Sequence, residues 1–413
     1  MLATTPVLNL DALRGADPLL ALALLLLVAT VFAELLYRSW ALPRACGQML
    51  MGALAGPLLL HLLERSELDA FKPLIDLAIG AVLFELGSRI RPRWLLDNRA
   101  LAITCVLQAL LCALLAFVAL IALGAPPLSA AVAGAVAAST SPVITLNAVH
   151  ESAARGQVTE RLLLMTVVNS VFAVLLLRAL HIGLAGDGPA AAATEGGTGM
   201  FHALWRSLVV IAGSLLLGAA AGLLLDRLGR WMRATPAMPV VQIALVILAS
   251  LLAAMWTLSP LLTLLVAGMT ARWRMQHALT VEPMLGSAGA ALNVLLFVSL
   301  GLLFSLEGFF SVWPWALAIV AARWLGSAVA VSALARPSGL GWRQSAGLIV
   351  ALQPMSSLAV LMAASNFGWA SQLGAVDSRT LQALLVAAML MQLTGPLWSR
   401  LGLRRIAGEG PAR

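Results

Sequence analysis

The chain has 413 residues, of which 61% are hydrophobic and only 11% charged; a soluble domain carries roughly a quarter charged residues, so a soluble globular enzyme is excluded. The formal charge of +8 comes from 26 Lys and Arg against 18 Asp and Glu. Apart from Lys72 these basic residues are arginines, scattered between long apolar runs, which is the pattern of membrane-span ends and not of a nucleic-acid platform.

A hydrocarbon core about 30 Å thick needs about 20 apolar residues per helix. Cutting the chain where charge, Pro or Gly clusters interrupt such runs predicts an all-α polytopic membrane protein of about thirteen transmembrane helices. They lie near 18–38, 43–63, 71–89, 100–123, 127–150, 158–183, 203–225, 239–258, 259–275, 284–304, 312–335, 343–368 and 379–401, and the tightest junction is Leu258-Ser259-Pro260. The N-terminal stretch before residue 18 lacks the basic start of a cleaved signal peptide, so the first run is read as a retained span. Runs this continuous, rich in Leu and Ala, are not the short alternating segments of an outer-membrane barrel. Cys46, Cys105 and Cys112 fall within apolar stretches at no metal or redox spacing and read as small buried residues.

Basic residues near span ends are retained in the cytoplasm. Arg38, Arg44, Arg89, Arg91, Arg93, Arg99, Arg155, Arg161, Arg227, Arg230, Arg233, Arg272, Arg274, Arg336, Arg343 and the tail arginines Arg400, Arg404, Arg405 and Arg413 all fall at junctions on one side. The other side holds only Arg14, Arg65, Lys72, Arg206 and Arg379, with Arg178 and Arg323 inside spans. The expected arrangement is therefore N-terminus outside and C-terminus cytoplasmic. The Gly- and Ala-rich stretch from Gly183 to Gly199 reads as a flexible outer join. The expected organisation is a first repeat at 1–183 (spans 1–6), a linker plus connecting span 7 at 184–238, a second repeat at 239–405 (spans 8–13) and a short cytoplasmic tail at 406–413. That tail is too short to fold, so a regulatory domain is expected only on a separate chain.

Two spans carry prolines at mid-membrane depth. In span 5 Ala138-Ser139-Thr140-Ser141-Pro142 places hydroxyls before a residue that removes a backbone donor and clashes with the preceding turn. Seven spans later, Gln353-Pro354-Met355-Ser356-Ser357 repeats the device in span 12. Helix breaks at Pro142 and Pro354, in corresponding places of two halves, point to a transporter site, because freed carbonyls and half-helix ends can face an ion. An odd offset of seven makes the two six-helix repeats inverted. The bland reading of each cluster is a kink whose hydroxyls bond back to carbonyls.

Further stretches carry a resemblance. Leu42-Pro43-Arg44 through Gly52 to Gly56-Pro57, then Leu83-Phe84-Glu85-Leu86-Gly87, Ser139-Thr140-Ser141-Pro142, and Leu258-Ser259-Pro260-Leu261-Leu262 with Ala267-Gly268 resemble, in this order, the monovalent cation:proton antiporter superfamily. The likeness is to its second branch, which includes bacterial sodium/proton and potassium/proton exchangers, and it covers nearly the whole chain. It implies a sodium/proton antiporter-like fold with crossed broken helices, exchange of a monovalent cation for protons by alternating access, and a homodimer. The family carries an Asp in span 6 after Asn, Asp or Gln; here Val168-Asn169-Ser170-Val171 keeps Asn169 and puts Ser170 in the acid's place. After the span-12 proline many members have a basic residue, Gly and Glu, where this chain has Met355-Ser356-Ser357.

A proton-coupled exchanger needs a titratable group whose protonation competes with the cation, and neither usual position supplies one. Glu85 lies near the cytoplasmic end of span 3, where an unpartnered carboxylate at full depth would cost about 2.5–3.5 kcal/mol. Arg323, mid-span 11, bears the same burden, so Glu85 and Arg323 form a candidate charge pair or proton carrier, with snorkelling of Glu85 to the interface as the alternative. Glu34 and Asp76 are expected at interfaces. His61, His150, His181, His202 and His277 all fall at span ends or in loops and are not read as buried proton carriers.

Two functional readings follow. In one, Ser139, Thr140, Ser141, Asn169, Ser170, Gln353, Ser356 and Ser357 form a polar cation site in a cation/proton antiporter. In the other, the chain is a coupling-deficient relative: an uncoupled ion or small-solute pathway, a sensor, or a subunit of a membrane assembly. Membrane lipid, a monovalent cation and the proton are the expected partners, with no cofactor and no other metal. An intramembrane hydrolase is disfavoured, since none of these serines has a buried His or Lys as base.

Overall fold

The computed structural model describes residues 18–58, 65–90, 98–187, 198–232, 237–274, 286–302, 309–356, 359 and 377–409, and these are helical with no strand among them. In chain order the helices are α1 (Pro18–Trp40), α2 (Arg44–Ala53), α3 (Arg65–Arg89), α4 (Arg99–Ala122), α5 (Pro127–Ala138), α6 (Pro142–Ser152), α7 (Gln157–Asp187), α8 (Thr198–Trp231), α9 (Met238–Met255), α10 (Pro260–Arg274), α11 (Gly286–Leu302), α12 (Phe309–Ala333), α13 (Trp342–Ala351) and α14 (Ser378–Arg400). Among the described residues eight helices are long and apolar enough to cross a membrane.

The apolar exterior fits a lipid solvent. Leu20, Leu27 and Val31 on α1 are about 60% exposed, a continuous greasy face that a water-soluble monomer rarely shows. Exposed tryptophans sit at helix ends: Trp40 closes α1, Trp231 closes α8, Trp256 follows α9, and Trp342 opens α13. Indole rings favour the membrane–water interface, with the apolar ring in and the N–H out. The chain is a multi-pass membrane protein.

The fold divides into two compact units that are not successive halves of the chain: residues 1–79 with 285–307, and residues 80–284 with 308–413. In the first, α2 and α11 approach backbone to backbone, since a Cβ on Gly52 would lie 2.2 Å from the Val298 carbonyl oxygen. In the second, the later part of α3 meets α10 in the same way. A Cβ on Gly268 would lie 2.1 Å from Phe84 O, and one on Gly87 would lie 2.2 Å from Leu265 O. The two stretches Leu83–Gly87 and Ala267-Gly268, far apart in sequence, thus form one close helix contact that needs small residues on both sides. The main core of this second unit is built from α4, α5, α7, α12 and α14 around Leu120, Val136, Leu177, Ile319, Met355 and Leu384.

Most boundaries follow the sequence reading, with informative departures. Span 2 is regular only to Ala53; the chain then widens into a π turn, Leu54–Leu58, with Gly56 at φ −88° and ψ −130°. The cause is Pro57, which pushes the residue before it out of helical geometry. The join expected from Gly183 is also shorter, because α7 continues to Asp187 and α8 begins at Thr198. A single Gly costs a helix only about 1 kcal/mol, too little to stop one already running.

Candidate functional site

The chain leaves helical geometry at both prolines. α5 ends at Ala138, and Ser139 (φ −72°, ψ 142°) and Ser141 (φ −74°, ψ 113°) are extended. Pro142 then occupies the first turn of α6, where a missing N–H costs nothing, and Ser141 Oγ caps that helix by accepting from Ile144 N at 3.4 Å. α13 likewise ends at Ala351, and the chain from Gln353 to Ser356 is non-helical. Ser356 Oγ accepts from Ala359 N at 3.4 Å. The two breaks touch: Ser141 N donates to Pro354 O at 2.9 Å.

α7 supplies a third wall. Asn169 Nδ2 donates to Thr140 Oγ1 at 2.9 Å, and Ser170 Oγ donates to Thr140 O at 3.2 Å and to Thr166 O at 2.8 Å. Ser139, Thr140, Ser141, Asn169, Ser170, Gln353 and Ser356 are all buried, with at most 3% of their surface exposed, and they share one region at the crossing of the broken segments. Ser357 lies outside the described residues.

Arg323 binds this crossing together. It is fully buried. Its Nη1 donates to Ala137 O and, at 2.5 Å, to Ser139 O. Its Nη2 donates to Leu352 O at 2.8 Å, Pro354 O at 3.3 Å and Thr140 Oγ1 at 3.4 Å. The last carbonyls of a helix have no partner within it and carry partial negative charge. One planar guanidinium answers this for α5 and α13 together, through charge-assisted bonds that offset the several kcal/mol of desolvation a buried cation costs. Asn169 Oδ1 and Gln353 Oε1 accept no hydrogen bond among the described residues, which leaves two amide oxygens of the kind that ligate hard cations. No cluster of three or more His, Cys, Asp or Glu that could hold a metal ion occurs among the described residues.

The expected pairing of Glu85 with Arg323 is corrected by this geometry. Arg323 directs Nη1 and Nη2 to backbone oxygens and Thr140, while Glu85 Oε1 lies 2.8 Å from Arg89 Nη2 and 2.9 Å from His150 Nε2. Glu85 is one turn before the end of α3, and its neighbours are the ends of α3 and α6; Arg323 is at mid-helix, beside the two breaks. His150, set aside as a span-end residue, thus belongs to a charged cluster. The side chains of His61, His181, His202, His277 and Arg178 lie outside the described set. Glu34 pairs at 2.8 Å with both Arg38 and Arg44 at the end of α1, as an interfacial acid should.

A second polar layer escaped the sequence reading. Behind Arg323, Gln108 Nε2 donates to Ser327 Oγ at 3.1 Å and to Cys112 Sγ at 3.3 Å, and the Cys112 thiol donates to Arg323 O at 3.5 Å. Gln108 and Cys112 are one helical turn apart, as are Arg323 and Ser327, so this spacing was the available signal.

Buried polar side chains gathered where two broken helices cross define the class of secondary membrane transporters with interrupted helices. The model of the transmembrane sodium/hydrogen exchanger family matches residues 22–400, and the chain belongs to that family. Among solved structures it is similar to the sodium proton antiporter MjNhaP1 from Methanocaldococcus jannaschii at pH 8, with 13% identity, 95% of this chain and 99% of the other covered, and a TM-score of 0.70. An electron-microscopy structure of the same antiporter matches with 14% identity, 96% and 100% coverage and a TM-score of 0.68. No curated protein sequence matches the chain.

Proposed function

We propose that the chain exchanges a monovalent cation, sodium or potassium, for protons by alternating access. One observation carries the reading: in a chain of the exchanger family, the break between α5 and α6 meets the non-helical segment after α13 at a buried, hydroxyl- and amide-lined point where, among the described residues, Asn169 and Gln353 keep unfilled acceptor oxygens. In this reading Ser139, Thr140, Ser141, Asn169, Ser170, Gln353, Ser356 and Ser357 line the cation path, and Pro142 and Pro354 hold the helices open for it. The chain works as a homodimer in a bacterial inner membrane, with thirteen spans, N-terminus outside and C-terminus cytoplasmic. Residues 1–183 and 239–405 act as the inverted repeats, joined through 184–238, and 406–413 form the tail.

The second reading, a relative that has lost proton coupling, is favoured by Arg323. Among the described residues its hydrogen bonds go to carbonyl and hydroxyl oxygens and to no carboxylate. At an effective dielectric near 20, a cation about 6 Å from a guanidinium is disfavoured by about 3 kcal/mol, a penalty that an acid at position 170 would offset. Purified protein in liposomes, with internal pH followed after addition of sodium, potassium or lithium in turn, decides between the two. A cation-dependent pH change in the wild type supports exchange. No change in the wild type, with a response restored in Ser170→Asp, supports the uncoupled reading. Silence in both, with both proteins folded, rejects the cation site at this crossing.

A further inference from the structure

His150 lies in the last turn of α6, the half-helix that starts at the Ser141 cap. Its Nε2 is 2.9 Å from Glu85 Oε1 and also in contact with Arg89 Nη2, while Arg89 holds the same Glu85 oxygen at 2.8 Å. The two contacts ask opposite things of one nitrogen. Toward a carboxylate, Nε2 has to donate a proton; toward a guanidinium, which has only donors, it has to accept one. A neutral imidazole with its proton on Nδ1 satisfies Arg89 and not Glu85. An imidazole protonated at Nε2 satisfies Glu85 and leaves Arg89 to the carboxylate alone. Starting from the Nδ1–H form that accepts from Arg89, a proton added at Nε2 switches the α3 partner of His150 to Glu85.

The cluster is placed for such a switch. Glu85 has 11% of its side chain exposed, whereas Arg89 and His150 have 32%, so protons reach the imidazole from water while the acid stays largely covered. Among the described side chains, the other charged groups on the elements packed against α6 are Glu151 on α6 itself, Glu160 and Arg161 on α7, Arg379 and Arg400 on α14, Arg404 and Arg405 in the turn Leu401–Ile406, and Glu409 beyond it. Arg161 donates to Ser338 O, and the Glu409 carboxylate accepts from Val158 N and Thr159 N. At the crossing, among the described residues, the facing side chains are hydroxyls, amides and Arg323. Imidazole is the side chain whose ordinary titration falls between about pH 5 and 8, and His150 is the one histidine on the described broken helices α5, α6 and α13.

We propose that His150, positioned by Glu85 and Arg89, is the proton-binding residue of the exchange cycle and fills the role left open by Ser170; this rests on the exchange reading above. In the step, Nε2 forms an N–H bond with a proton from hydronium on one side of the membrane, leaving a water molecule, gives up its hydrogen bond from Arg89 and donates to Glu85; after the change of access the N–H bond breaks, the proton passes to water on the other side, and nothing is oxidised or reduced. α6 carries the change to the crossing, because the Ser141 cap at its other end donates its N–H to Pro354 O.

The test is sodium- or potassium-driven change of internal pH in liposomes, recorded from about pH 5.5 to pH 8.5, for the wild type and His150→Gln. The wild-type rate is expected to vary about tenfold across this range, and the variant to lose cation-driven pH change by at least about tenfold at every pH. A His150→Gln protein that keeps the wild-type pH profile overturns the proposal and leaves exchange standing; a wild type that exchanges nothing overturns the exchange reading and this proposal with it. Histidine NMR of wild type and Glu85→Gln guards against misfolding of the His150 variant. The imidazole resonances of His150 are expected to change when Glu85 loses its charge, and unchanged resonances overturn the coupling between the two residues.

Discussion

Arg323 shows how one residue can be costly and necessary together. A guanidinium at 0% exposure in mid-helix is tolerated because the half-helix ends around it offer oxygens that otherwise lack donors. Replacing one partner of such a buried arrangement typically costs about 3–5 kcal/mol, since the remaining polar groups stay buried and unanswered. Arg323→Met is accordingly expected to lower the unfolding temperature in detergent sharply. Arg323→Lys should recover part of the loss, because the charge remains but the planar fork that reaches both broken segments does not. An Arg323→Met protein as stable as the wild type would mean that the carbonyls of α5 and α13 are satisfied some other way. None of this was legible in the sequence: a basic residue advertises its charge, so an acid was sought for it, whereas the backbone oxygens that receive it are carried by every residue alike. His150 and the Gln108, Cys112 and Ser327 layer were missed for a related reason, since each gains meaning only from a side chain on another helix.

At the scale of elements the sequence was far more readable. Pro142 and Pro354 forced the breaks where they occur, since the effect of proline on its own helix is local. That locality also explains the misjudged end of α7, where Gly183 is a weak signal and the helix carries on to Asp187. The start of α7 depends on a distant partner. The Glu409 carboxylate accepts from Val158 N and Thr159 N, both at 2.7 Å, and from Thr159 Oγ1 at 2.8 Å, so the end of the chain caps the helix that carries Asn169 and Ser170. Arg155 N donates to the Glu409 backbone oxygen at 3.1 Å and fixes the strap further. Loss of a helix cap costs about 1 kcal/mol. Glu409→Ala is expected to destabilise the protein by that amount and to speed hydrogen exchange at Val158 and Thr159 above all. Unchanged exchange at those two amides would show that the Glu409 carboxylate does not hold the first turn of α7.

For the whole molecule, the question left to measurement is which way it lies in the bilayer, and charge provides the argument. Arg38, Arg230, Arg272 and Arg274 occupy the last turns of α1, α8 and α10, where they also meet the negative ends of those helices, and cytoplasmic retention of such residues fixes orientation. The turn after α4, at Leu123, carries no charge, and Leu123 is exposed; Arg343, at the start of α13, is exposed as well. With Cys46, Cys105 and Cys112 replaced, single cysteines introduced as Leu123→Cys and Arg343→Cys report opposite faces. A membrane-impermeant thiol reagent added to intact cells is expected to label position 123 at once and position 343 only after the membrane is opened. The reverse pattern would invert the orientation and place the Glu85, Arg89 and His150 cluster on the outer face, so that external rather than internal water would supply its proton in this conformation. Labelling of both positions in intact cells would mean that an even number of crossings separates the end of α4 from the start of α13, and the count of thirteen would fall with it.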